Sequence, residues 1–567
     1  MFRNRKIVFV GLAILLSFAL GSCAQPTAEP TTAPPVVAPT AVPPEPTVEE
    51  MVFEGLTFED PGCASKSFFN SIVAADEHTV VFNLCKPDAA FLSKMAFSVF
   101  SIYPQEWLEA TTEAGARLEA PVGTGPYRVS EWNRGESLTF TQFEDYWGDP
   151  ANAGTVVFRW STESAARVLE LQAGTVDGID NPGPDDFAVI EGDSSLQLLE
   201  RPALNTFYLA MNSGFEPFDD LNVRKAVAMG IDRARIVDTF YPRGSEVASH
   251  FVPCAIPNGC TGDDWYAFDP GAAQAALAAA GFPDGFSTNL FYRDVVRGYL
   301  PQVGSVAQDI QAQLAANLNI DATIVVMESG AFIEACTSGT CDGFHLLGWG
   351  ADYPHVTNFL DFHFGQTYAA FGPQSTTYSD PLAQAATIAD PATAEPLYVE
   401  ANNAIREYVP MVPIAHGGSA VAYRADAEGA HASPLSNEFF AAVDPGGRDT
   451  FVWMQNAEPI SLFCADETDG ESLRACEQVM EPLYTYEVGG VAVHPALATS
   501  CEASADLMVW TCALREGVSF HDGSKFDAND VVTTFWAGLD ASSPLHVGNT
   551  GLWEYYGALW GLVNVEG

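Results

Sequence analysis

Positive charge is scarce in this chain. Lys and Arg number 25 against 73 Asp and Glu in 567 residues, a formal net charge of −48 at pH 7. A surface of that sign repels nucleic-acid phosphates and anionic lipid headgroups, so neither is an expected partner. It favours a hydrated exterior, and a cationic ligand is the other reading of the same excess. Catalytic signatures are also missing: there is no G-x-S-x-G, no H-E-x-x-H and no G-x-x-x-x-G-K-[ST]. No C-x-x-C occurs and no His/Cys set has zinc-ligand spacing, so no metal and no cofactor is expected. These absences weigh against an enzyme.

What is present is core-forming material: 47% hydrophobic residues, 12% aromatics, 47 Gly and 37 Pro. That composition predicts a turn-rich α/β protein of two or three domains. MFRNRK followed by IVFVGLAILLSFAL has the form of a secretory signal, with an apolar run too short for a membrane span. Leu20-Gly21-Ser22-Cys23 then resembles a bacterial lipobox, which implies cleavage before Cys23 and a lipid on its sulfur; an ordinary signal with a chance cysteine is the alternative. Residues 24–50, rich in Pro, Thr and Ala, form a semi-rigid tether.

The chain has 11 Cys, and setting Cys23 aside leaves an even number in close pairs. Local pairing, Cys63 with Cys85, Cys254 with Cys260, Cys336 with Cys341, Cys464 with Cys476 and Cys501 with Cys512, is the simplest disulfide set for an exported protein, although sequence does not fix connectivity.

From residue 51, strand-like and helical runs alternate, as in α/β layers. HTVVFNL (78–84), DATIVVM (321–327), FHLLGWG (344–350) and TFVWMQ (450–455) read as strands. TESAARVLELQAG (162–174), LNVRKAVAMGI (221–231), PGAAQAALAAAG (270–281) and VAQDIQAQLAANLNI (306–320) read as helices. Asp-Pro-Gly-Gly at 444–447 marks a loop. In DGSKFDANDVV, Asp527 and Asp530 form an N-cap pattern, so the nearby His–Asp sequence is structural, not a catalytic pair.

PVGTGPYRVSEWNRGESLTFTQFEDYWG (121–148) resembles the signature of extracellular solute-binding proteins of the peptide/nickel type, which feed ABC importers. AARVLELQAGTVDGID (165–180), FYLAMNSGFEPFDDLNVRKAVAMGIDRARIV (207–237), FDPGAAQAALAAAGFPDGF (268–286) and GWGADYPHVTNFL (348–360) continue the likeness in order. The elements that open such a chain stand here after residue 450: EPLYTYE (481–487), HPALATS (494–500) and ALREGVSFHDGSKFDANDVVTTFW (513–536). The strand that should follow them is at the other end, in DEHTVVFNLCKPDAAFL (76–92). The order therefore resembles a circular permutation, with a fusion of gene fragments as the rival reading.

The resemblance implies an α/β, two-lobed periplasmic-binding-protein-like (type II) fold with a hinge and an extra peripheral domain, circularly permuted. On this chain, lobe I would be 115–203, 413–440 and 450–490; the peripheral domain 51–114 and 491–567; and lobe III 204–412. The implied function is a lipid-anchored binding protein, expected as a monomer, that delivers peptides or peptide-like solutes to an ABC permease. A sugar, cationic metabolite or metal chelate, or a surface sensor without a permease, is the alternative. In peptide-binding relatives an Asp in Gly-Trp-x-x-Asp pairs with the peptide's ammonium, which here is Asp352, beside Trp349 and Tyr353. Arg297 in RGYLP matches an Arg that meets the peptide carboxylate. The bland readings are a turn cap for Asp352, packing for Trp349 and a surface position for Arg297. Leu346 stands where oligopeptide binders can carry an Arg, which leaves the ligand class open. His345, His355 and His363 match no metal-ligand spacing.

Overall fold

NTFYLAM and MVPIAH are apolar on both faces, as befits strands covered on both sides. In the computed structural model, which describes residues 53–63, 67–295 and 297–565, they form the buried strands Asn205–Met211 and Met411–His416. These lie in a six-stranded sheet, ordered Glu246–Val247, Met411–His416, Asn205–Met211, Phe344–Gly350, Ser287–Arg293 and Asp321–Met327. Cys23, the signal and the tether fall outside the described residues.

A seven-stranded sheet runs Tyr127–Asn133, Ser137–Gln142, Thr155–Trp160, Thr450–Gln455, Gly178–Asp180, Ser419–Arg424 and Leu196–Arg201. Thr450–Gln455 lies parallel between Thr155–Trp160 and Gly178–Asp180, deep inside a sheet otherwise built from residues far earlier and slightly earlier in the chain. A five-stranded sheet likewise joins both ends of the chain. Its order is Thr57–Glu59, Phe69–Asp76, Thr79–Leu84, Val509–Leu514 and Ala498–Ala503. Thr79–Leu84 alternates half-buried and buried side chains, as a strand with one face on the core must.

The helical runs fold as their caps predict. Ser164–Ala173 stops at Gly174 in the left-handed region, and Asp269 accepts from the Ala272 N–H to start Pro270–Ala279. Asp527 accepts from the Asn529 N–H while Asp530 accepts from the Asp527 N–H, a capping box on Ala528–Leu539. His521 is structural too. Its ring accepts from the Gly123 N–H, meets the Gly125 carbonyl at 2.9 Å and packs edge-on to Phe143. Each of the five cysteine pairs expected from spacing is a disulfide.

The chain crosses between the seven- and six-stranded sheets twice, from Arg201 to Asn205 and from His416 to Ser419. Asn205 ties the crossings together: its Nδ2 donates to the Gly417 carbonyl and its Oδ1 accepts from the Gly417 N–H, both at 2.8 Å. A Cβ at Gly417 would lie 2.1 Å from the Gly298 carbonyl oxygen, so only glycine fits there. The seven- and five-stranded sheets share one apolar core, and the six-stranded sheet has its own. Two of the expected boundaries cut through paired strands. Met411–His416 belongs wholly to the six-stranded sheet, so the break after residue 412 falls inside a strand, and the crossing comes at Gly417. Tyr484–Tyr486 pairs with Val493–Pro495 across the break after residue 490.

Beneath the first crossing lies a closed ring of four charges, each side chain at most 3% exposed. Arg201 reaches Asp180 at 2.9 Å and Glu438 at 2.7 Å; Arg474 reaches Asp180 at 3.2 Å and Glu438 at 2.8 Å. Burial would raise the Glu438 carboxyl, yet the two guanidiniums hold it down to about 2. Removing one member leaves a buried charge uncompensated, so Arg474→Met is expected to lower unfolding stability by ~3–5 kcal/mol in urea denaturation, and a loss under ~1 kcal/mol would refute this role.

Candidate ligand-binding site

Between the two sheets, at the crossings, lies a cavity of about 780 Å³. Asn205 and Gly417 line it from the crossings, together with Trp349, Asp352, Arg293 and Arg297. Strand Phe344–Gly350 carries Trp349 to its end, and the turn after it brings in Asp352. The helix Val356–Leu360 then supplies Asn358, which organises both. Asn358 Oδ1 accepts from Trp349 Nε1 at 3.0 Å and from the Asp352 N–H at 3.2 Å, and its Nδ2 donates to Asp352 Oδ2 at 2.9 Å. Burial pushes the Asp352 carboxyl up, and hydrogen bonds from Asn358 and the Tyr555 hydroxyl pull it back. A carboxylate kept short of water in this way gains from any cation that reaches it.

Arg297 sits in a tight turn, its N–H bonded to the Leu300 carbonyl and its carbonyl accepting from the Leu300 N–H. Sequence reasoning missed Arg293, Arg201, Asn358 and Tyr555, which also belong to this site. Asn358 lies within the quoted GWGADYPHVTNFL stretch. Tyr555 has no local signal, since it arrives from the far end of the chain.

Tyr353 does not line the cleft. The turn points it the other way, where its hydroxyl meets Thr357 at 3.3 Å and its ring lies 5.5 Å from the Lys94 ammonium. The three nearby histidines are dispersed. His345 is fully buried in its strand, His355 caps Val356–Leu360, and His363 bonds the Phe359 carbonyl. Among the described residues no His, Cys, Asp and Glu cluster could hold a metal.

A cleft between two separately cored halves, joined by two crossings, is the geometry of a hinged solute binder. The model of the bacterial extracellular solute-binding proteins, family 5 Middle, matches residues 47–402 and 492–550. The chain belongs to that family. It is a solute-binding protein, not an enzyme. It is 28% identical over 396 residues to the dipeptide-binding protein of Escherichia coli (strain K12), covering 67% of this chain and 72% of that one. It is 27% identical over 387 residues to heme-binding protein A of Haemophilus influenzae, covering 67% and 70%. A periplasmic binding protein of Helicobacter pylori solved with the peptide STSA has 27% identity and a TM-score of 0.52, over 64% of this chain and 71% of that one. Proteins of this family work outside the cytoplasmic membrane, and among the described residues no helix is long and apolar enough to cross one.

A smaller cavity of about 190 Å³ in this solute-binding protein is lined by Glu477 and Glu481. Glu481 accepts from Thr124, Tyr146 and Trp147, each at 2.7 Å, and Asn437 donates to Glu477 at 2.6 Å. Burial nevertheless raises Glu477 to about 8 and Glu481 to about 7. These carboxyls keep their protons in the folded state where the unfolded chain has lost them, so stability falls as pH rises from the ordinary glutamate value toward those raised values. The thermal midpoint is expected to be higher near pH ~5 than near pH ~8. The slope should flatten in a Glu477→Gln, Glu481→Gln double variant, and a midpoint that climbs with pH would contradict this assignment.

Proposed function

We propose that the protein captures short peptides in the inter-lobe cleft and hands them to an ABC permease, tethered to the outer face of the membrane by a lipid on Cys23. The observation that carries this is a single cavity lined both by a desolvated carboxylate, Asp352, and by the guanidinium-bearing Arg293 and Arg297. A zwitterion satisfies both ends at once, and a ligand that bridges the halves favours the closed state by its differential affinity. The dipeptide-binding relative and the peptide-bound neighbour support the same ligand class. Purified protein examined by native mass spectrometry should carry short peptides. Asp352→Asn should weaken dipeptide binding at least about tenfold, or ~1.4 kcal/mol, by calorimetry. A non-peptide mass such as a haem, or unchanged affinity, would overturn the peptide reading.

We also infer that the chain order is a circular permutation of the family's, with lobe I, lobe III and the peripheral domain divided as the sequence implies apart from the two shifted boundaries. The pairing of Thr79–Leu84 with Val509–Leu514 and the two separate blocks matched by the family model support it. A chain reordered to start at residue 450, run through 565 into 53 and end at 444 should keep the parent's denaturation midpoint and affinity. An insoluble product would argue against the permutation.

A further inference from the structure

A second cavity, of about 520 Å³, lies on the other side of the cleft wall. Trp349, Asp352 and Phe362 line both cavities, so the wall between them is one layer of side chains thick. Trp349 and Phe362 are stacked, with ring centroids 4.5 Å apart and planes 23° from parallel. Phe362 remains 38% exposed despite that stacking, leaving apolar surface uncovered where the two cavities meet.

Most of the chamber's charged groups are already engaged; Asp361, also in its wall, has a carboxylate oxygen with no hydrogen-bond partner, and burial raises that carboxyl to about 7, which keeps its charge low. The Lys94 ammonium sits 2.7 Å from Asp88 and faces the rings of Phe68, Tyr353 and Trp560, and the Lys86 ammonium lies 4.7 Å over Phe68. Much of the rest of the wall is apolar and small, with Pro87, Leu382, Ala383, Ala386 and Ala558 among it. Such a space selects by volume and apolar contact more than by charge.

We propose that this chamber is part of the ligand site and makes the protein prefer solutes with a large apolar or aromatic group on the carbon that bears the ammonium. This rests on the peptide reading above. A cation paired with Asp352 stands at the junction of the two cavities. The body of the solute then runs along the cleft toward Arg293 and Arg297, and the neighbouring substituent passes the edge of the Trp349–Phe362 pair into the chamber.

The test is calorimetric titration of the full chain with the dipeptides Phe-Ala and Ala-Ala. Phe-Ala should bind at least about tenfold tighter, because it buries a ring that Ala-Ala lacks. Ala383→Phe and Ala558→Phe fill the chamber from exposed positions, where folding tolerates them. Each should weaken Phe-Ala about tenfold and leave Ala-Ala within about threefold of the parent. Equal affinities in the parent, or fillers that weaken both dipeptides alike, overturn the proposal while the peptide reading stands. If neither dipeptide binds the parent, both readings are overturned.

Discussion

The ring of Asp180, Arg201, Glu438 and Arg474 is the constraint on which the binding half of this molecule is arranged. Each of these charges would be costly to bury alone, and each is tolerable only because the other three close around it. Arg201 is the last residue of its strand before the chain leaves for the other half. Asp180 ends the strand one place further into the sheet, beyond Ser419–Arg424, Arg474 sits on the helix Gly470–Cys476, and Glu438 closes the loop that lines the cleft with Leu435 and Ser436. Glu438 also accepts from the Ser433 N–H at 3.1 Å, which holds that loop to the ring. One electrostatic knot thus sets the start of a crossing, a sheet edge and part of the ligand wall.

Against that fixed point the second half has freedom of a restricted kind. Its apolar core is separate, and its covalent links are two short crossings pinned to each other through Asn205 and Gly417. Paired crossings permit rotation of one half against the other more readily than sliding, because the hydrogen bonds between them lie at the pivot itself. Cleft-lining residues on opposite sides of this pivot, such as Ser436 and Trp349, would be brought together or apart by one rotation. The five-stranded sheet shares the core of the ring side, and the helix Glu554–Trp560 packed into that core brings Tyr555 to Asp352 in the other half.

Much of this was legible in the residues. The helices and strands around 162–174, 270–281, 321–327 and 344–350 follow from periodicity and caps, which are local properties. The disulfides followed from close spacing, because cysteines a few residues apart have few other partners. Asp352 and Trp349 line one cavity because their motif stands at a strand end, and Arg297 reaches the same cavity from a separate turn. Tyr353 faces the second chamber and not the cleft, because adjacent residues in a turn face opposite ways, and a motif does not record which side each takes.

By itself, then, the sequence determined the acidic charge balance, the elements and the family likeness, all properties that reside in short windows or in composition. Tertiary structure alone decided the rest. It closed the four-charge ring and set Asn358 and Tyr555 on Asp352. It also opened the second chamber behind Trp349. These are contacts between segments far apart in the chain, selected by burial and charge pairing in three dimensions, and no local pattern encodes them.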